Sequence, residues 1–260
     1  MSEQRATTAQ HERALRKAIT ALPEHDLRRR LLEVLLTPQG EPAGRRAPGD
    51  DITYEDFLDW AGEDTLAEWV DGEVVMYSPA SKGHQSVAGF LAKLLGTFVE
   101  HHDLGLVLTA PFQMKLEHSG REPDLLFVAE EHLDRLKETY LDGPADLVVE
   151  IVSPESAGRD RGEKFYEYAE GGVPEYWLID PQQEWVEFYR LQEGRYRLAF
   201  DGTEGTYRAA NVPGFWLRVE WLWQEPLPST EDVLLEIGGE AYAQRWIDRL
   251  RDRGFLPSPE

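Results

Sequence analysis

Apolar positions recur along this chain with two different periods. In HERALRKAITALPEHDLRRRLLEVLL (11–36), Leu27, Leu31, Val34 and Leu35 fall at i, i+4, i+7 and i+8, the spacing of one helix face, with an interruption near Pro23. TPQGEPAGRRAPGDD (37–51) has no such period and is rich in Pro and Gly, which predicts a linker. Thr53 followed by Asp56 predicts a helix start before Phe57 and Leu58. LAEWVDGEVVMYSPAS then reads as a hairpin turning at Asp71-Gly72. Ser81 can cap a helix to about Glu100 that buries Val87, Phe90, Leu91, Leu94, Leu95 and Phe98.

From there the period of two takes over. LGLVLTAPFQMKLEH predicts two strands broken at Pro111, and PDLLFVA and ADLVVEIVS two more, with EEHLDRLKETY between them as a short helix. RDRGEKFYEYAEGG predicts a helix ended by Gly171-Gly172. VPEYWLID, EWVEFYRL, RYRLAF and TEGTYRAA follow as strands of a meander, and EDVLLEIGGEAYAQRWIDRLRDRG as a helix weakened at Gly238-Gly239. The order predicts an α/β fold, a mixed β-sheet flanked by helices. It divides the chain into a helical N-terminal extension (1–36), a linker (37–51), a main domain (52–223) and a helical C-terminal extension (224–260).

One position breaks the pattern. In DLVVEIVS, Glu150 stands among Leu147, Val148, Val149, Ile151 and Val152. Its neighbours on the same strand face, Val148 and Val152, are apolar, so its carboxylate is expected to lose water. Such a group needs a cation, a metal or hydrogen-bond donors. A strand edge open to solvent is the bland alternative.

Composition narrows the setting. The chain has 260 residues, no cysteine and a net charge of −22. Disulfides and cysteine-ligated metals are excluded, and the N-terminus has no apolar core like a signal peptide, so a cytoplasmic protein is expected, with no membrane span. The charge is uneven: +1 over 1–51, −19 over 52–223 and −4 over 224–260. Such a surface does not wrap nucleic acid as a basic protein does.

The sequence contains no Walker phosphate loop, dinucleotide-binding glycine motif, nucleophile elbow or zinc helix. His101-His102 read as a solvated helix end. The reactive candidates are therefore carboxylates and a lysine. Asp124 and Glu150 lie on successive strands, where their side chains can approach, and like charges so close call for a divalent cation with oxygen ligands, Mg²⁺ or Mn²⁺. Asp160, Lys164 and Tyr168 are spaced i, i+4, i+8 along one helix face. Read alone, Asp160 and Lys164 make an ordinary surface pair. Because their helix directly follows the strand of Glu150, Lys164 can instead reach the strand end.

AEWVDGEVVMYSPAS with His84 after it, EPDLLFV, DLVVEIVSPES and RDRGEKFYEYAEGGVPEYWLIDP together resemble restriction endonucleases of the Uma-two type, within the PD-(D/E)XK nuclease superfamily. The resemblance spans about 52–223. It implies a restriction-endonuclease-like sheet and a Mg²⁺- or Mn²⁺-dependent endonuclease that hydrolyses phosphodiester bonds, most readily in DNA. Asp124 and Glu150 match its metal ligands, with the Ile151 carbonyl completing the shell. Val152 stands where the superfamily has a lysine, and Lys164 matches the lysine this family places on the following helix. Glu68 matches a glutamate able to reach the metal, and His84 a histidine near the site. Asp160, Tyr168, Glu175 and Tyr176 match recurring positions read as structural. Arg121, Arg159 and Arg161 are candidates for a small basic rim toward a nucleic acid.

The charge keeps a second reading open: an inactive nuclease-fold module that binds a protein partner through its acidic surface. A hydrolase using two carboxylates without metal is a third, but leaves Lys164 without a use. The match of the whole constellation favours the nuclease. Trp177, Trp185, Phe188 and Tyr189 are read as core rather than as a base-stacking platform, because they alternate with polar residues. Exposed sheet edges would also allow a homodimer.

Overall fold

A computed structural model describes residues 52–61, 67–76, 80–154 and 156–257. The N-terminal extension (1–36) and the linker (37–51) inferred from the pattern lie outside these residues. Among the described residues, no helix is long and apolar enough to cross a membrane.

Helix α1 (Tyr54–Trp60) starts where Thr53 and Asp56 form a reciprocal capping box. The hairpin of β1 (Ala67–Val70) and β2 (Glu73–Met76) turns at Asp71-Gly72, both at positive φ as a two-residue turn requires. Helix α2 (Lys82–His101) is capped by Ser81, whose Oγ accepts from the His84 N–H, and it buries the predicted apolar stripe. Strands β3 (Gly105–Thr109), β4 (Gln113–Lys115), β5 (Ser119–Arg121) and β6 (Leu125–Ala129) follow, then a 3₁₀ turn (Glu130–Arg135) and β7 (Tyr140–Asp142). Strand β8 (Leu147–Ile151) leads through α3 (Ala157–Asp160) and α4 (Glu163–Glu170) to β9 (Glu175–Asp180). The chain continues with β10 (Trp185–Gln192), β11 (Arg195–Gly202), β12 (Thr206–Arg208), β13 (Trp216–Arg218) and α5 (Thr230–Asp252).

Among these residues the strands form three sheets instead of one. Six are ordered β11-β10-β9-β8-β6-β3, five β2-β1-β5-β4-β7, and β12 pairs with β13. In the six-stranded sheet β8 and β9 run parallel, joined by the α3–α4 crossover, and the remaining pairs are antiparallel. Three differences from the sequence reading follow. The predicted helix after β6 shrinks to a 3₁₀ turn, because part of that segment pairs as β7 with β4. The three-residue β5 carries no alternation that a pattern could reveal. The predicted meander stops at β11, since β12 turns away to pair with β13.

The six-stranded sheet separates two cores. Leu125, Phe127, Leu147, Val149, Ile151, Trp177 and Ile179 face α2 and α5. The alternate residues Leu126, Val128, Val148, Val152, Tyr176 and Leu178 face α4 and strands β4 and β7. Each such buried aliphatic side chain contributes about 1.5–3 kcal/mol. Glu150 takes its place in the second set by parity, between Val148 and Val152.

Helix α5 kinks at Gly239, where φ is 55° and ψ −146°, and it seats Val233, Leu234 and Tyr242 in the first core. That docking corrects the reading of His101 as solvated. His101 is buried against Tyr242, ring centroids 4.4 Å apart, and Arg245 donates to its carbonyl. Burial, with the charges of His102, Arg245 and Arg249, lowers the His101 pKa from the usual 6.5. The neutral ring therefore contributes stability above that value, and the contribution is lost as pH falls through the lowered one. Between about pH 7.5 and about pH 5, wild type is expected to lose more melting temperature than His101→Phe, which keeps a ring without a charge to gain. Equal losses in thermal melts would show that His101 does not titrate into instability.

Candidate active site

The β6–β8 register pairs Leu125 with Val149, which carries Asp124 opposite Glu150 at the open end of both strands. Asp124 is anchored there by the Ile151 N–H, which donates to its Oδ2 at 2.7 Å. The His84 Nε2, on the first turn of α2, stands 3.2 Å from the same oxygen. Burial opposes a charge on His84, but the hydrogen bond and charge of Asp124 outweigh it, helped by Asp160 and a backbone hydrogen bond at Ile151, and raise its pKa.

Glu150 is not at a solvated edge: its Oε1 accepts from the Lys164 ammonium and from the Tyr168 hydroxyl, both at 2.8 Å. Lys164 also lies 3.2 Å from Glu68 Oε1 and 3.8 Å from Asp160 Oδ1. Burial pushes the Glu150 carboxyl up to about 8 against the pull of Lys164, and Asp160, Asp124 and Glu68 add to the rise. For Lys164 burial works the other way, yet Glu150, Glu68 and Asp160 raise its pKa and keep it a cation.

The predicted helical face of Asp160, Lys164 and Tyr168 is broken in the backbone yet kept in space. Between α3 and α4, Gly162 takes φ −119° and ψ −95°, and a Cβ there would stand 2.5 Å from the Gly158 carbonyl oxygen. The break lets α4 run back along the second core with Lys164 and Tyr168 facing β8.

Glu68 reaches the site from β1 with both oxygens engaged. Oε1 accepts from the Glu122 N–H at 3.0 Å and faces Lys164, while Oε2 accepts from Arg121 Nη1 at 2.9 Å. Burial would raise its pKa, but Lys164, Arg121 and the Glu122 N–H together hold it low. As it stands, Glu68 positions Lys164, and holding an ion would require giving up one of these bonds.

Arg121 is not part of a basic rim. It is fully buried, donating to Glu68 and, with Nε and Nη2, to both Glu167 oxygens at 2.8 and 2.7 Å. Arg161 is likewise committed, to Glu187 at 2.8 Å and Asp180 at 3.5 Å. Trp177 and Phe188 are fully buried, as core aromatics should be. Glu175 is structural: its carboxylate accepts from Trp177 Nε1, the Tyr207 hydroxyl, two backbone N–H groups and Asn211 Nδ2.

Tyr168 touches Glu150 and Arg121 touches Glu68, two contacts that sequence reasoning did not assign. The i+4 spacing of Tyr168 from Lys164 was a usable signal for the first. Nothing local marks Arg121, whose partners are 53 and 46 residues away.

Asp124 and Glu150 could hold a divalent cation, with the Ile151 backbone beside them. The donors are hard oxygens, which suits Mg²⁺ or Mn²⁺. Among the described residues, no three or more His, Asp or Glu side chains stand close enough to cage an ion by themselves. Mg²⁺ is commonly held by one or two carboxylates with waters and substrate phosphate, so two carboxylates meet that requirement. Carboxylates are also in excess: Glu68, Glu150 and Asp160 face Lys164, and Arg121 serves Glu163 and Glu167 as well as Glu68.

Residues 54–220 match the family model described as "Uma2: Putative restriction endonuclease". An uncharacterized protein of Synechocystis is 26% identical over 153 residues, covering 56% of this chain and 78% of its own length. The crystal structure of a "putative nuclease belonging to DUF820" from Anabaena variabilis superposes with a TM-score of 0.58 at 17% identity, covering 66% of this chain and 97% of that one. At that identity the likeness shows the fold, which is restriction-endonuclease-like.

Proposed function

Because the chain belongs to the Uma2 family, we propose that it is a divalent-metal-dependent endonuclease that hydrolyses phosphodiester bonds in nucleic acid, DNA first. The observation that carries this reading is the meeting of Asp124, Glu150 and Lys164 at one strand end. An isolated carboxylate in an apolar strand is a liability, and a lysine aimed at it from the next helix makes it a site.

When bound, Mg²⁺ or Mn²⁺ supplies Lewis acidity to the phosphodiester and lowers the pKa of a water beside it. The chain's own groups do the rest. Asp124, fixed by the Ile151 N–H, and Glu150, fixed by Tyr168, present oxygens from a rigid pair of strands. Lys164 keeps its proton at the strand end, where it can orient the attacking water and offset charge developing on the phosphorane. Glu68 holds Lys164 in place while Glu150 serves the ion. His84 steadies Asp124 from the other side.

The test is nicking of supercoiled plasmid at low salt with Mg²⁺ or Mn²⁺, with single-stranded DNA and RNA as further substrates. Salt should be varied as well, because it screens both the repulsion between an acidic protein and a polyanion and any local attraction at the site. Cleavage is expected with metal and not with excess EDTA. Lys164→Ala is expected to lower the rate by about 10²–10³-fold, the scale of losing one charge-stabilising donor. It should keep or strengthen Mn²⁺ binding, because the ammonium competes for Glu150. Cleavage that persists in EDTA would rule out the metal-dependent reading. Full activity in the alanine variant would remove Lys164 from the chemistry.

A further inference from the structure

We propose that Asp160 is a further cation-directed carboxylate of this site, receiving the hydration shell of the ion held by Asp124 and Glu150. The inference rests on the metal-dependent reading above and adds a residue to it.

Asp160 is 1% exposed, and among the described residues neither of its side-chain oxygens has a hydrogen-bond partner. The Lys164 ammonium stands 3.8 Å from Oδ1, beyond hydrogen-bond distance, and is held more closely by Glu150 at 2.8 Å and Glu68 at 3.2 Å. Burial raises the Asp160 pKa, while Lys164, Ser156 and Arg159 favour its charged form and Asp124 opposes it. Asp160 acts electrostatically on Glu150, His84 and Lys164, so its carboxylate lies within the same cluster.

Glu175 shows how this fold treats a carboxylate kept for structure. That group is as buried as Asp160 and has five donors on its two oxygens. The Asp160 backbone, by contrast, is tightly placed. Its N–H donates to the Ser156 carbonyl at 2.9 Å, and its carbonyl accepts from the Tyr176 hydroxyl at 3.0 Å. The side chain is therefore held where it is, buried, with only a long ion pair to Lys164 and no close hydrogen bond to either oxygen among the described residues. Such an arrangement costs free energy and persists where function requires it.

A bound divalent ion matches what Asp160 lacks. Mg²⁺ and its analogues keep several waters, whose O–H groups are donors polarised by the ion. Direct ligation is the poorer fit, since among the described residues no three carboxylates are close enough to share an ion. A carboxylate one water away orients that shell and adds negative charge at short range.

The experiment titrates Mn²⁺ into the full-length chain by calorimetry, alongside thermal melts with and without Mn²⁺. Wild type is compared with Asp160→Asn and Glu150→Gln. Asp160→Asn is expected to weaken Mn²⁺ binding by about 10–100-fold. Its melting temperature without metal should match or exceed wild type, because a buried charge is gone, and its gain on adding Mn²⁺ should be smaller. Asp160→Ala, which offers neither donor nor acceptor, serves the same comparison if the amide disturbs packing.

If Asp160→Asn binds Mn²⁺ like wild type while Glu150→Gln does not, the metal site stands and the assignment of Asp160 falls. A lower metal-free melting temperature with unchanged Mn²⁺ affinity would make Asp160 a structural acceptor. If wild type itself binds no Mn²⁺, the metal-dependent reading fails and takes this inference with it.

Discussion

Glu150→Gln is expected to lower metal-dependent plasmid cleavage by about 10³-fold, with the protein still folded. The size follows from charge stabilisation at a metal centre, worth several kcal/mol, with each 1.36 kcal/mol a factor of about ten in rate. Glutamine keeps the shape of the side chain and an oxygen able to accept from Lys164 and Tyr168, which both reach Glu150 Oε1. It removes the negative charge that an ion needs. Stability should change little, because burial already works against the charged form of Glu150. Plasmid nicking rates measured beside the melting temperature separate the two effects. An active Glu150→Gln variant would dismiss Glu150 as a metal ligand, and a variant that loses activity only by unfolding would leave its role structural.

Arg121→Met is expected to do the opposite: to cost about 3–5 kcal/mol of stability, as breaking a buried ion pair from one side does. Arg121 is fully buried and forks between Glu68 and Glu167. Removing it leaves the Glu68 carboxylate, equally buried, with Lys164 and one backbone N–H against its full desolvation. Lysine should rescue only part, since a single ammonium cannot reproduce two bonds to Glu167 and one to Glu68. Glu68→Gln in the Arg121→Met background should recover part of the loss by removing the stranded charge. Denaturant titration gives the answer directly as a lower midpoint at unchanged slope. A loss below about 1 kcal/mol would mean that water or relaxation replaces the guanidinium and that the network is not buried in solution. Since whole domains are stable by about 5–15 kcal/mol, the expected loss would also lower activity through unfolding, so cleavage by this variant should be compared per folded molecule.

Much of the frame was legible in the chain because its elements carry local signals. The Thr53–Asp56 capping box, the Asp71-Gly72 turn, the Ser81 cap and the Gly171 stop are contacts between near neighbours, and each stands where the pattern placed it. The alternation through β6, β8 and β9 was also sufficient to say that Glu150 shares a face with Val148 and Val152, and that face is buried. A period of two assigns faces without any knowledge of what covers them.

Tertiary structure alone decided what covers them. The strands divide into three sheets because pairing of β7 with β4 and of β12 with β13 depends on chain reversals that carry no periodic signal. His101 looked like a solvated helix end until α5, about 140 residues later, closed over it. Arg121, Arg159 and Arg161 looked alike in sequence, yet one is fully buried between two carboxylates and another is paired at the sheet. The same holds inside the candidate site. Sequence nominated Asp124, Glu150 and Lys164 by type and order. Only the fold shows Glu68 and Arg121 bracing the lysine, and Asp160 buried beside it without a close hydrogen bond to either oxygen among the described residues. Local patterns record which residues leave water. Which charges then meet is settled by long-range packing, where partners lie dozens of residues apart and no spacing rule connects them.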